Sequence, residues 1–150
     1  MKIIEVTNYQ EMSKAAADYI ISKVQQSPNL ILGLATGGTP VGTYKYLVED
    51  HKKNKTSYKD VTTFNLDEYV GLAKENPQSY HSYMNEHFFN HIDINPTNTH
   101  IPNGKIESIK DEPAAYEELI KESGGIDLQV LGIGQNGHIG FNEPGTPFSS

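Results

Sequence analysis

The sequence predicts an α/β fold, a doubly wound and mostly parallel sheet flanked by helices in the Rossmann-like manner, and three observations predict it. Short apolar runs alternate with helix-period patterns along the whole chain. Strands separated by helices call for parallel crossovers. A chain of 150 residues is long enough to hold a core, since a fold of that size buries roughly 68 to 70% of the surface its unfolded chain exposes. Residues 2–6 read as a first strand, 11–25 as a helix, 30–35 as a strand, 40–53 as a helix and 61–66 as a strand. A Tyr/Phe-rich helix follows over 79–91, then a helix over 113–122 stopped by Gly124 and Gly125, and a last strand over 126–133. The stretch 95–104, with Pro96, Pro102 and Gly104, reads as a surface connection. No repeat, low-complexity tract or linker divides the chain, so residues 1–150 read as a single α/β domain. The tail 142–150 carries Pro144, Gly145, Pro147 and two serines, which leaves the last predicted strand without a helix to cover it. Parallel strands are normally covered on both faces, so the sheet is expected to be incomplete at its C-terminal side and the chain to be the N-terminal part of a longer unit.

Composition narrows the function. With 36% hydrophobic and 21% charged residues, and no apolar run near the roughly 18 residues needed to cross a bilayer, the expectation is a soluble protein without a membrane partner. Cysteine is absent, which removes disulfides, thiol nucleophiles and thiolate metal sites, and the opening MKIIEV carries no apolar signal segment, so a cytoplasmic location is expected. All twelve basic residues are lysine against 19 acids, for a net charge of −7. That balance offers no basic stripe for phosphates, and nucleic acid is not an expected partner.

In open α/β sheets, ligands sit outside the carboxyl ends of the strands, so the loops after Ala35, Leu66 and Ile133 matter most. The first reads Thr36-Gly37-Gly38-Thr39-Pro40. Its glycines permit a tight backbone, Thr39 can cap the next helix and Pro40 fits the first helical position. A glycine turn running into a helix presents free amides and a positive dipole end, a site for an anion and most naturally a phosphate; the plainer reading is a helix start with no ligand. A nucleotide P-loop is excluded, because Thr43 and Tyr44 stand where Lys and Ser/Thr are required.

The second loop delivers Asp67-Glu68-Tyr69 to the same crevice. One carboxylate is a candidate base, against the plainer reading of a turn cap or a solvated acid. To work near neutrality an aspartate must rise from about 3.9 by some three units, roughly 4 kcal/mol of differential solvation, so it must be partly desolvated. Spacing does not decide between Asp67 and Glu68.

The third loop, Leu131 to Gly145, packs Gly132, Gly134, Gly137, Gly140 and Gly145 around His138. Histidine titrates near neutrality, and Glu143 or Asn136 can hydrogen-bond the ring and fix its tautomer. Gly132, Gly134 and Gly137 satisfy a G-x-G-x-x-G pattern, yet prolines follow in place of a sustained helix, so a dinucleotide site is set aside. His87 and His91 stand at helical spacing without the Glu of a zinc peptidase motif, and Tyr80, Tyr83, Phe88 and Ile92 read as that helix's packing stripe. Lys52, Lys53 and Lys55 read as a solvated helix end.

Taken together, the segments LGLATGGTP, TTFNLDEYVGL, SYHSYM, HIPNG and LGIGQNGHIGFNEPGTPF resemble the glucosamine-6-phosphate deaminase family, also called glucosamine-6-phosphate isomerase. The resemblance runs from the first strand to the last residue and matches the N-terminal portion of family members. It implies a hydrolase/isomerase-type enzyme of amino-sugar metabolism that converts glucosamine 6-phosphate and water to fructose 6-phosphate and ammonia, with no cofactor and no metal. By motif, Asp67 is the implied proton acceptor for enolisation, and His138 opens the sugar ring with help from Glu143 and Asn136. Thr36, Gly37, Gly38 and Thr39, with Gly137, are the implied substrate-binding residues. Many relatives carry Asp where this chain has Asn136; an amide still accepts a hydrogen bond but brings no charge. The basic residues with which relatives grip phosphate lie beyond Ser150, and a chain without arginine supplies no bidentate clamp. The family includes oligomeric and monomeric members, so monomer and homo-oligomer both stay open.

Two other readings compete. A 6-phosphogluconolactonase-like hydrolase also needs a phosphate loop and a histidine, although it need not take a carbon-bound proton. A sugar-phosphate sensor that does no chemistry is the second, and it has no use for Asp67, His138 and Glu143 together.

Overall fold

The computed structural model describes residues 1–105, 111–139 and 142–147. Four parallel strands, β1 (Ile31–Leu34), β2 (Thr62–Asn65), β3 (Thr99–His100) and β4 (Leu128–Gln129), lie in the order β3-β2-β1-β4. Four helices flank them: α1 (Tyr9–Gln26), α2 (Val41–Asn54), α3 (Tyr80–His87) and α4 (Glu112–Glu122). This is the Rossmann-like α/β arrangement the sequence predicts. The strand order reverses between β1 and β4, which makes their carboxyl ends a topological switch point.

Side-chain alternation assigns the two faces. Leu32 and Leu34 turn to the face where Ala17, Ile20 and Val24 of α1 meet Tyr44, Leu47 and Val48 of α2 and Met84 of α3. The Leu, Ile, Val and Met side chains among them each contribute roughly 1.5–3 kcal/mol by leaving water. Phe88 is fully buried there, stacked on Tyr44 at 5.2 Å and edge-on to Tyr58 at 5.6 Å. Phe64 points to the opposite face, where it stacks on His100 and takes the Tyr116 ring of α4 edge-on.

Five expectations need correction. Residues 2–6 pair with no strand among the described residues, and Ile3, Ile4 and Val6 are exposed; alternation makes a strand only where a sheet edge is there to receive it. The connection 95–104 contains β3, a two-residue edge strand between Pro96 and Pro102, too short to register as a run. The strand expected over 126–133 is regular only at Leu128–Gln129, and Ile133 turns back to bridge Ile139 in antiparallel sense. The helix expected over 79–91 ends at His87 and resumes as a 3₁₀ turn over Phe89–His91. Finally, α2 begins at Val41, and Thr39 gives it no side-chain cap. Among the described residues no helix is long and apolar enough to cross a membrane.

Candidate active site

A cavity of about 510 Å³ opens at the carboxyl ends of β1, β2 and β4, within the size range of small-molecule sites. Its wall takes Thr36, Gly37, Gly38 and Thr39 from the loop after β1, Asp67 from the loop after β2, and His138 from the loop after β4. Of the nine residues singled out in the sequence, the fold brings these six around one space. Asn136, Gly137 and Glu143 do not line it; they stand behind His138. Gly140 and Phe141 of the same loop lie outside the described residues.

The loop after β1 exposes donors. Among the described residues, the amides of Thr36 through Thr39 have no acceptor, so the stretch that leads into α2 carries unused N–H groups. Among the described residues no lysine lines the cavity, and its donors toward an anion are backbone amides, hydroxyls and the His138 ring.

The two neighbouring acids, indistinguishable by spacing, separate in three dimensions. The Glu68 side chain is 2% exposed and is spent on structure. Its carboxylate accepts from the amides of Tyr69 and Tyr80 at 2.8 Å, from the amide of His81 at 3.2 Å, and pairs with His81 Nδ1 at 2.7 Å. Three of those donors belong to the first turn of α3, where a carboxylate is favoured by the helix dipole. Asp67 instead faces the cavity, and burial, then the charge of Glu68, raises its carboxyl above the usual aspartate range. That is the direction a base needs in order to hold a proton in passing.

His138 is held by a local relay. Asn136 Oδ1 receives the His138 amide at 3.1 Å and faces His138 Nδ1 at 2.8 Å, while Asn136 Nδ2 donates to Glu143 Oε2 at 2.7 Å. The backbone N–H can only donate, so the amide orientation is fixed and Oδ1 is the atom facing the ring. An oxygen there accepts from Nδ1–H, which leaves Nε2 of the neutral ring with a free lone pair. The ring seats directly over Gly134, where a Cβ would lie 2.1 Å from Nδ1, so any side chain at 134 would displace the ring from this seat. Gly137 closes the turn by donating its amide to Gly134.

Several residues on or beside this site carry no sequence signal of their role. Tyr80 belongs to the expected packing stripe but lines the cavity, beside Thr36 and with its ring 4.7 Å from Tyr69; burial, then Tyr69, push its phenol up to about 12. Tyr83, from the same stripe, donates its hydroxyl to the Gly37 carbonyl at 2.5 Å. Phe88 and Ile92 do pack on the core. His87 lies against the Tyr83 ring and His91 Nε2 meets the Glu86 carbonyl, so the two are not turned to a shared ligand.

Comparison with known proteins follows the same line. A family model described as glucosamine-6-phosphate isomerases/6-phosphogluconolactonase matches residues 7–142. A glucosamine-6-phosphate deaminase of Geobacillus sp. (strain WCH70) is 60% identical over 150 residues, and one of Shouchella clausii (strain KSM-K16) is 57% identical over 150 residues. The chain is covered completely in both matches and spans 60% and 61% of those relatives' lengths. A solved monomeric glucosamine-6-phosphate deaminase superposes with a TM-score of 0.96 at 49% identity, over 100% of this chain and 62% of that one. A 6-phosphogluconolactonase from Trypanosoma brucei gives 0.76 at 20% identity, covering 96% and 64%, a likeness of fold. With the family model running from the first helix through the histidine loop, this chain belongs to the glucosamine-6-phosphate isomerase/6-phosphogluconolactonase family.

Proposed function

We propose that the protein carrying this chain is a glucosamine-6-phosphate deaminase, converting glucosamine 6-phosphate and water to fructose 6-phosphate and ammonia. One observation carries the reading: a glycine-rich loop with unpaired amides, a half-buried aspartate and a histidine held by Asn136 line the same 510 Å³ cavity. The deaminase names of the 57–60% identical relatives support it over the lactonase reading.

In this reading the sugar phosphate rests on the amides of residues 36–39 while its ring reaches the other two loops. His138 Nε2 takes the proton of the anomeric hydroxyl and returns it to the ring oxygen, giving the open-chain aldehyde; Asn136 and Glu143 hold the ring in the tautomer that allows it. Asp67 then removes the C2 proton, acidic between a carbonyl and an ammonium, and the resulting enolamine takes a proton at C1. The C2 imine so formed adds water and releases ammonia. General acid–base steps of this kind supply about 10²–10⁴-fold each. A hydrolase-type active site in the cytoplasm remains part of this proposal.

The test is ammonia release from glucosamine 6-phosphate by the natural protein that carries this chain, beside an assay for opening of 6-phosphogluconolactone. Ammonia without lactone opening is the expected result. Lactone opening alone, or tight sugar-phosphate binding with neither reaction, overturns it in favour of the lactonase or the sensor.

A further inference from the structure

The free amides of the loop after β1 are useful only if the backbone carbonyls alternating with them are held away from the cavity. An unsecured glycine-rich backbone samples many conformations, and ordering it on binding costs affinity. Three tyrosine hydroxyls, from three different helices, take hold of this loop. Tyr44 of α2 bonds the Ala35 backbone, Tyr83 of α3 bonds the Gly37 carbonyl, and Tyr9 of α1 bonds farther along.

Tyr9 makes the most bonds of the three. Its Oη lies 2.8 Å from the Gly38 carbonyl and 3.1 Å from that of Thr39, and it accepts the Gly42 amide at 2.9 Å. That last bond occupies the place of a helix cap: Gly42 is the second residue of α2, and accepting from that position is the task of an N-cap side chain. Thr39 does not perform it. The approach depends on Gly42, where a Cβ would sit 2.3 Å from Ser13 Oγ and 3.0 Å from Tyr9 Cε1. Tyr9 is in turn placed by the cap of its own helix, Asn8 Oδ1 accepting the Glu11 amide at 2.8 Å.

We infer that Tyr9 is a positioning residue of the phosphate loop: its phenol caps α2 from a neighbouring helix and fixes the Gly38 and Thr39 carbonyls so that the loop amides are ready for the substrate phosphate. The inference rests on the deaminase reading for its kinetic consequence, but its structural part stands apart from it. Tyr9 touches no reacting atom, so its removal falls on binding and not on the proton transfers.

The experiment is Tyr9→Phe in the natural protein carrying this chain, read in two ways. By amide hydrogen exchange, the Gly42 amide should exchange about tenfold faster, with the amides of residues 13–24 in α1 unchanged; a loss of one or two hydrogen bonds has that scale. By kinetics, KM for glucosamine 6-phosphate and the inhibition constant of inorganic phosphate should rise together by about 5- to 10-fold, with kcat falling less than twofold. Asn8→Ala should reproduce the KM effect at about a third of the size. Tyr19→Phe, on the exposed side of the same helix, should change neither readout. An unchanged Gly42 amide in Tyr9→Phe overturns the pin whatever the enzyme does. A faster Gly42 amide with unmoved KM and phosphate inhibition overturns the link to phosphate. A parent protein that releases no ammonia, yet shows the faster Gly42 amide in the variant, refutes the deaminase reading and leaves the pin in place.

Discussion

The loop after β1 and the loop after β4 face each other across one cavity and are built on opposite plans. The first holds almost nothing by itself: its backbone is fastened by tyrosines 9 to 46 residues away in sequence from the backbone groups they bind. The second is fastened by its own atoms. Gly134 accepts from Gly137 and donates to the His138 carbonyl, Ile139 and Asn142 exchange bonds, Asn136 reaches Glu143, and Thr146 closes on the Glu143 carbonyl through both its amide and its hydroxyl. In the proposed reading, a cradle that keeps its amides in place for a phosphate gains from being anchored to several helices. A histidine that must keep one tautomer needs only a neighbour two residues away.

Asp67 lines the cavity beside both loops and is the proposed base, so the largest expected effect belongs there. Asp67→Asn should lower kcat for ammonia release at least about 10³-fold while fructose 6-phosphate binds within a few-fold of the parent, measured by single-turnover kinetics and titration. Near-normal turnover would remove Asp67 from the role of base. Next comes Asn136→Ala, which dismantles the self-fastened loop's hold on the ring. It should reduce kcat about 10- to 100-fold with little change in KM, the reverse of the pattern for Tyr9→Phe; a KM effect like that of Tyr9→Phe would break the contrast between the loops.

Smaller effects concern stability. Glu68→Gln leaves an amide group facing the donors at the start of α3 and should cost about 1–3 kcal/mol in thermal or denaturant unfolding. It also removes the charge beside Asp67, so the acidic limb of the kcat profile should move to lower pH. Smallest is the effect of Asp67→Asn on folding. Asp67 is raised in the fold, so its ionisation opposes folding above the ordinary aspartate range and costs nothing below it. The Asn variant should therefore be slightly more stable than the parent at pH 7, and the advantage should vanish as pH falls through about 3.9. A variant less stable at neutrality would mean that Asp67 supports the fold.

The same contrast explains what the sequence disclosed. The histidine loop was legible because its bonds join residues two to seven apart, so glycine density, Asn136 and Glu143 all appear beside His138 in one line of text. The alternation of helices and strands, and with it the parallel sheet, was legible from local periodicity. The tyrosine pins were not, because Tyr83 has the spacing of a packing stripe and packs as well as bonds. Tyr9 sits before the expected start of its helix with no apolar pattern of its own. Residues 2–6 misled for a related reason: strand propensity is local, while a partner strand is not. Asp67 and Glu68 were tied in sequence and separate only through α3, which arrives twelve residues later to claim one of them.

That claim gives the pair an asymmetry under exchange. Moving the longer acid to position 67 and the shorter to 68 keeps charge and composition, yet the shorter arm at 68 falls back from the helix it ties down and the longer one overreaches into the pocket. Two adjacent acids that a similarity score treats as equivalent are thus bound to separate fates, one a tether and the other a proposed tool, and the swapped protein is the variant in which both are expected to fail at once.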